Sequence, residues 1–156
     1  MDVRPGDFTD ARVLELLREH LAGMHASSPP GSVYALDLSG LQQPSIAFFT
    51  VWDGDELLGC GALKHLDDDA GEIKSMRTSA RHLRRGAAAC LLEHVLAIAR
   101  ARGYARVCLE TGRGPAFEPA LALYRRFGFV PGPAFGDYAA TEFNQFFQLV
   151  LHHGQS

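Results

Sequence analysis

Two hydrophobic periods divide the chain. Val13, Leu14, Leu17, Leu21 and Met24 are spaced as on one face of a helix that starts after Thr9 or Asp10, either of which suits an N-cap. The stretch 26–32 breaks that helix, because Pro29 and Pro30 cannot continue it. From Ile46 to Leu66 the pattern fits two strands around Asp53-Gly54-Asp55, a hairpin signal. Residues 70–78, with Ile73 among polar neighbours, predict a third strand, and Val3-Arg4-Pro5 is compatible with a short one. A 3.6-residue period returns at Ala88, Leu91, Leu92, Val95, Leu96 and Ala99, predicting a helix over 87–102 that Gly103 can end. Residues 105–111 read as an apolar strand, 118–127 as a helix with Pro119 in its first turn and Gly128 at its end, and 143–151 as a last strand.

The order is helix, three strands, helix, strand, helix, strand. Helices with one apolar stripe must cover a sheet, so the fold class is α/β with a mixed sheet. No repeat or linker divides residues 1–156, which fit one domain.

Composition narrows the partners. Of 156 residues 47% are hydrophobic, enough for a substantial core, and the net charge of −3 gives no reason to expect nucleic acid. No apolar run approaches the ~20 residues of a membrane span, and the first ten residues lack the pattern of a signal peptide. Cys60, Cys90 and Cys108 are scattered in apolar runs without metal spacing, which fits reduced, packed thiols in a cytoplasmic protein.

Against this acidic balance, Arg81, Arg84 and Arg85 crowd the start of the helix at Ala87. A helix N-terminus favours negative charge, so cations there are misplaced unless an anion joins them. Gly86, Ala87, Ala88 and Ala89 keep side-chain bulk away from the first unpaired amides, as a phosphate cradle requires. The alternative is a basic surface loop beside alanines packed on the sheet. The GxxxxGK[ST] and GxGxxG patterns are absent.

The strand at 71–78, the arginine-glycine turn, the long helix and the strand at 105–112 together resemble the acetyl-CoA-binding core of the GNAT acetyltransferase superfamily. Its loop Arg/Gln-x-x-Gly-x-Gly/Ala is similar to Leu83-Arg84-Arg85-Gly86-Ala87-Ala88, with Leu83 departing at the first position. Its segment Ala-x-x-x-Tyr-x-x-x-Gly-Phe is similar to residues 120–129, placing Ala120 and Tyr124 at its first and fifth positions. The asparagine often found seven residues before that Tyr is Phe117 here. The N-terminal helix and the segment from Ala134 to Tyr138 resemble a bacterial small-molecule branch of the superfamily.

The resemblance implies a mixed, mostly antiparallel sheet with helices on both faces. It also implies acetyl-CoA as co-substrate, no metal, a small-molecule amine as acceptor and a homodimer. The pantetheine arm would lie along Met76, Arg77 and Thr78. The pyrophosphate would sit at Arg84, Arg85, Gly86, Ala87, Ala88 and Ala89. Tyr124 would be the general acid at the sulfur, and the Met76 amide would face the acetyl oxygen. A base is also required, since an alkyl ammonium with pKa ~10 must lose a proton before it attacks. Glu72 is a candidate. Strand alternation would put it on the face of Met76, ~13 Å away, acting through water. The alternative for Glu72 is a salt bridge to Lys74 or an arginine. Asp137 and His65 are further candidates, and the acids at 67–69 fit a solvated turn. His20, Met24, Tyr34, Asp137 and Tyr138 are expected to line the acceptor site. A non-catalytic acyl-CoA sensor would keep the cradle and need no acid.

Overall fold

The computed structural model describes residues 1–31 and 36–151. Seven strands form one sheet: β1 (Asp2–Pro5), β2 (Ile46–Asp53), β3 (Glu56–Asp67), β4 (Ala70–Thr78), β5 (Arg106–Gly112), β6 (Val130–Pro131) and β7 (Asn144–Val150). Their spatial order is β1-β2-β3-β4-β5-β7-β6. Every neighbouring pair is antiparallel except β4 and β5, which run parallel. That pair cannot be joined by a tight turn, and α3 (Ala87–Ala101) makes the crossover. The expected mixed sheet is present, with β6 and the four-residue α2 (Leu38–Leu41) added.

Both hairpins follow the turn chemistry. Gly54, at φ 59, opens the two-residue loop between β2 and β3. The acids at 67–69 turn β3 into β4, with the Asp69 amide donating to Asp67 Oδ1 at 2.8 Å. At the end of α3, Gly103 takes φ 79 and the Tyr104 amide reaches back to the Ala99 carbonyl at 3.1 Å, closing the helix as expected of glycine.

Helices cover both faces. On one, α1 (Ala11–Ser27) packs Val13, Leu16 and Leu17 against Phe48, Trp52 and Ala62. Asp10 is its N-cap, its side chain accepting from the Arg12 amide. The buried stripe is Val13, Leu16, Leu17 and His20, whereas Leu14, Leu21 and Met24 sit at the margin. The expected face is rotated because α1 leans toward the open end of β4 and carries a histidine inward. On the other face α3 and α4 (Glu118–Arg126) share a core in which Leu92, Val95, Leu121 and Phe129 meet Leu63, Ile73 and Leu109. Cys60 and Cys108 are buried, and all three thiols are free. Among the described residues no helix is long and apolar enough to cross a membrane.

Candidate active site

The site exists because β4 and β5 part company. They pair only at Ala70–Arg106, Gly71–Val107 and Glu72–Cys108. Beyond that point each strand leaves backbone groups unpaired along a cleft of about 600 Å³. The divergence coincides with a break in register: Cys60 pairs with Arg77, but Ala62 pairs with Lys74. Two residues of β4, Ser75 and Met76, thus oppose the single Gly61, which is a β-bulge. Ser75 absorbs it with φ 57, a left-handed conformation uncommon for a non-glycine residue.

The bulge reverses the expected placing of Glu72 and Met76. Met76 turns to the α3 side, where a Cβ on Gly61 would lie 2.3 Å from its Sδ. Glu72 stays on the opposite face. The extra residue shifts the alternation by one, so the two side chains do not share a face.

Toward α3 lies the cradle. Gly86 holds φ 83 as the N-cap of α3, and the space where its Cβ would point is open. The first helical bond runs from the Cys90 amide to the Gly86 carbonyl at 3.0 Å, which leaves the amides of Ala87, Ala88 and Ala89 outside the ladder. Arg84, at φ 66, alternates with Gly86 in left-handed turns, a backbone form that suits an anion. Arg84 and Ala88 line the cleft, as does Leu83, 60% exposed at its mouth. Arg85 does not line it. Its guanidinium pairs with Asp53 and contacts His82 Nδ1 at 3.0 Å, so the expected anion contact falls to Arg84 and the backbone.

Tyr124 projects from α4 into the same cleft, with Ala120 one turn earlier. The Tyr124 side chain is 6% exposed and packs edge-on against Phe129. Burial pushes its phenol well above the ordinary value, so it stays protonated. No described residue accepts or donates a hydrogen bond at its hydroxyl, which is free for a ligand. Phe117, where the resemblance would put an asparagine, lines the cleft and packs on Phe143.

Glu72, Lys74, Arg77 and Glu110 line the cleft with His20 and Met24. Glu72 is 2% exposed, 3.3 Å from Lys74 Nζ, and accepts the Tyr138 hydroxyl at 2.5 Å. Lys74 Nζ also donates to that hydroxyl at 2.6 Å. Glu72 is therefore neutralised by the salt bridge that was its alternative reading. Tyr138 sits behind the cleft wall rather than in it, and Asp137 is exposed away from the cleft. His65 Nδ1 is 2.6 Å from the Tyr104 hydroxyl and does not face the site. Tyr34 lies outside the described residues.

Sequence reasoning missed Glu110. On β5 it alternates with the buried Val107 and Leu109 and so lies on the face away from α3. Burial pushes its carboxyl up to about 7. The positive charge of Lys74 works against that rise and the negative charge of Glu72 adds to it. The only signal in the chain was an acid inside an apolar strand run. Ser75 was missed too: its Oγ is buried without a partner, in a residue 8% exposed that lines the cleft.

Residues 12–129 match the model of the Acetyltransferase (GNAT) family. The chain is 51% identical over 138 residues to the N-acetyltransferase YsnE of Bacillus subtilis, covering 88% of this chain and 91% of that protein. It is 42% identical to the N-acetyltransferase YedL of Escherichia coli, over 96% of this chain and 94% of the other. A crystal structure from Klebsiella pneumoniae, described as an acyl-CoA N-acyltransferase, superposes with a TM-score of 0.80 at 27% identity, covering 97% of each chain.

Proposed function

The chain belongs to the Acetyltransferase (GNAT) family, and from that premise we propose that it transfers an acetyl group from acetyl-CoA to the amine of a small molecule, with Tyr124 as general acid and Glu110 as the proton acceptor. The observation that carries this is the parting of β4 and β5, which opens one cleft to a free helix N-terminus, a phenol unpartnered among the described residues and a half-buried acid.

The residues fit the co-substrate. The unpaired amides at 87–89 and Arg84 would hold the pyrophosphate, with nothing at Gly86 to obstruct it. The unpaired edge of β4 at Met76, Arg77 and Thr78 would take the pantetheine amides as an added strand. Bound acetyl-CoA supplies a thioester, whose carbonyl carbon takes the amine nitrogen while the C–S bond breaks and its electron pair leaves on sulfur. The Met76 amide is the candidate donor to the carbonyl oxygen. Tyr124 gives its proton to the sulfur and is reprotonated, through solvent, by the second proton that the nitrogen sheds as the amide forms. Glu110, ionised above about 7, takes the ammonium proton and passes it to water. Glu72, buried in its ion pair, instead holds Lys74 and Tyr138 in place.

Release of free CoA thiol over a panel of amines, beside calorimetry with acetyl-CoA, tests the reading. Turnover with an acidic limb near pH 7 that flattens in Glu110→Gln is the expected result. Tight acetyl-CoA binding with no thiol released from any amine would support the sensor reading instead.

A further inference from the structure

We propose that the acceptor is an amino-acid-type molecule, an amine that also carries a carboxylate, with Arg77 holding the carboxylate while Glu110 faces the amine. This rests on the reading above and names the substrate class of the same cleft.

The argument is one of unmatched charge. Four charged side chains face the acceptor side of the cleft: Glu72, Lys74 and Arg77 from β4 and Glu110 from β5. Glu72 and Lys74 cancel at 3.3 Å, and the Tyr138 hydroxyl occupies both. Glu110, pushed up to about 7 chiefly by burial, is only partly ionised at neutral pH. From α1 comes His20, which burial and the Arg77 charge push down to about 4, leaving it neutral. Among the described residues no carboxylate lies within ion-pair distance of Arg77. The acceptor side therefore carries a net positive charge at neutral pH, centred on Arg77.

The local structure holds that charge in place. Arg77 Nε donates to His20 Nδ1 at 3.1 Å, which requires the unprotonated nitrogen of a neutral imidazole. Nη2 donates to the His20 carbonyl at 3.2 Å. The guanidinium lies against Gly23 of α1, where a Cβ would come within 2.7 Å of Nη2. Two of its five N–H groups are thus engaged, and Nη1 has no partner among the described residues. A guanidinium fixed on one edge and free on another, in a partly buried cleft, is matched in geometry and charge by a carboxylate.

This charge pattern disfavours the other amine classes. Polyamines and aminoglycosides carry several positive charges and would need an acidic wall, whereas here Glu72 is paired with Lys74 and Glu110 is only partly ionised. In a zwitterionic acceptor the carboxylate cancels the Arg77 charge, and the amine lies toward Glu110, whose ionised form takes its proton.

The test uses the full chain, acetyl-CoA and matched acceptors: phenylalanine, phenylalaninamide and phenethylamine, the corresponding leucine and glutamate series, and spermidine. The expected result is a preference of at least ~10-fold in kcat/KM for the free carboxylate in at least one series, since a site built for a polar group rejects the analogue that lacks it. In Arg77→Gln that ratio should collapse through a rise in KM for the amino acid, and Arg77→Lys should restore part of it. Equal turnover of amino acids, amides, amines and spermidine would overturn the proposal. So would an Arg77→Gln variant that loses carboxylate and non-carboxylate acceptors in equal proportion, because a clamp between α1 and β4 would do the same. If no acceptor is acetylated, calorimetry of the same amino acids with CoA-loaded protein separates the two readings. Carboxylate-dependent binding lost in Arg77→Gln upholds the anion site while the transfer reading fails, and no such binding overturns the site.

Discussion

His20 accepts a hydrogen bond at Nδ1 from Arg77 Nε, 3.1 Å away across the joint between α1 and β4. The imidazole must be neutral to do so, and its value of about 4 agrees. Between its ordinary value of 6.5 and about 4 the folded state binds fewer protons than the unfolded chain, so acidification through that window destabilises the fold. Glu110 works the other way. With a folded value of about 7 against an ordinary 4.5, it binds a proton earlier in the folded state, and acidification from 7 to 4.5 stabilises it. The two overlap and partly cancel. His20→Asn, whose amide oxygen can still accept from Arg77, should therefore gain stability relative to wild type as pH falls from 7 to 5, and Glu110→Gln should lose it. Melting curves across that range check both signs. Three parallel profiles would mean that neither group titrates as its burial implies.

The cradle at Gly86 makes a separate demand. Its φ of 83 strains any L residue, asparagine less than most, and the space beside it is open. Gly86→Asn should keep most of the acetyl-CoA affinity. Gly86→Glu adds negative charge at the helix N-terminus and should lower that affinity by at least ~10-fold, about 1.4 kcal/mol. Calorimetry on the two folded variants decides it, and equal affinities would remove the cradle.

Tyr124→Phe deletes only a hydroxyl that has no partner among the described residues. The melting temperature should stay within a degree or so of wild type, while turnover falls roughly 10²–10⁴-fold, the range for a general acid. An acyl donor with a more acidic thiol needs less help and should be impaired less. Near-normal turnover, measured where chemistry limits the rate, would leave Tyr124 as a core aromatic and move the proton donor elsewhere.

Ser75 bears two costs in the folded state, a left-handed backbone at φ 57 and a buried Oγ without a partner. The first is roughly 1–2 kcal/mol for an L residue and the second roughly 1–3. Glycine relieves both, against an entropy loss of about 0.5–1 kcal/mol. Ser75→Gly should therefore melt higher by about 2–4 °C per kcal/mol gained. Ser75→Ala keeps the backbone strain and should gain less. A lower melting temperature for the glycine variant than for the alanine variant would contradict the strain reading.

The sequence alone determined the longer elements, because each is encoded over a few neighbouring residues, and left out only the short α2 and β6. The periods at 13–24 and 88–99 set α1 and α3, Gly54 and Gly103 set a turn and a helix end, and the family resemblance of residues 120–129 singled out Tyr124. Gly86 and its alanines were legible as a candidate anion site for the same reason, since a helix N-terminus is a local object. What only the tertiary structure decided is which side chains meet. The bulge at Ser75 and Met76 depends on the register of β4 against β3, and it moved Met76 to the face opposite Glu72. Glu72 could be neutralised because Tyr138, from a loop 66 residues later, joins Lys74 beside it. Glu110 rises to about 7 because folding half-buries it and brings Glu72 of another strand near it. Arg77 is left without an acid only by the packing of α1, whose Gly23 and His20 receive it. Local periodicity records burial along one segment. Charge pairing, desolvation and strand register are sums over distant segments, and they arise only when the chain has folded.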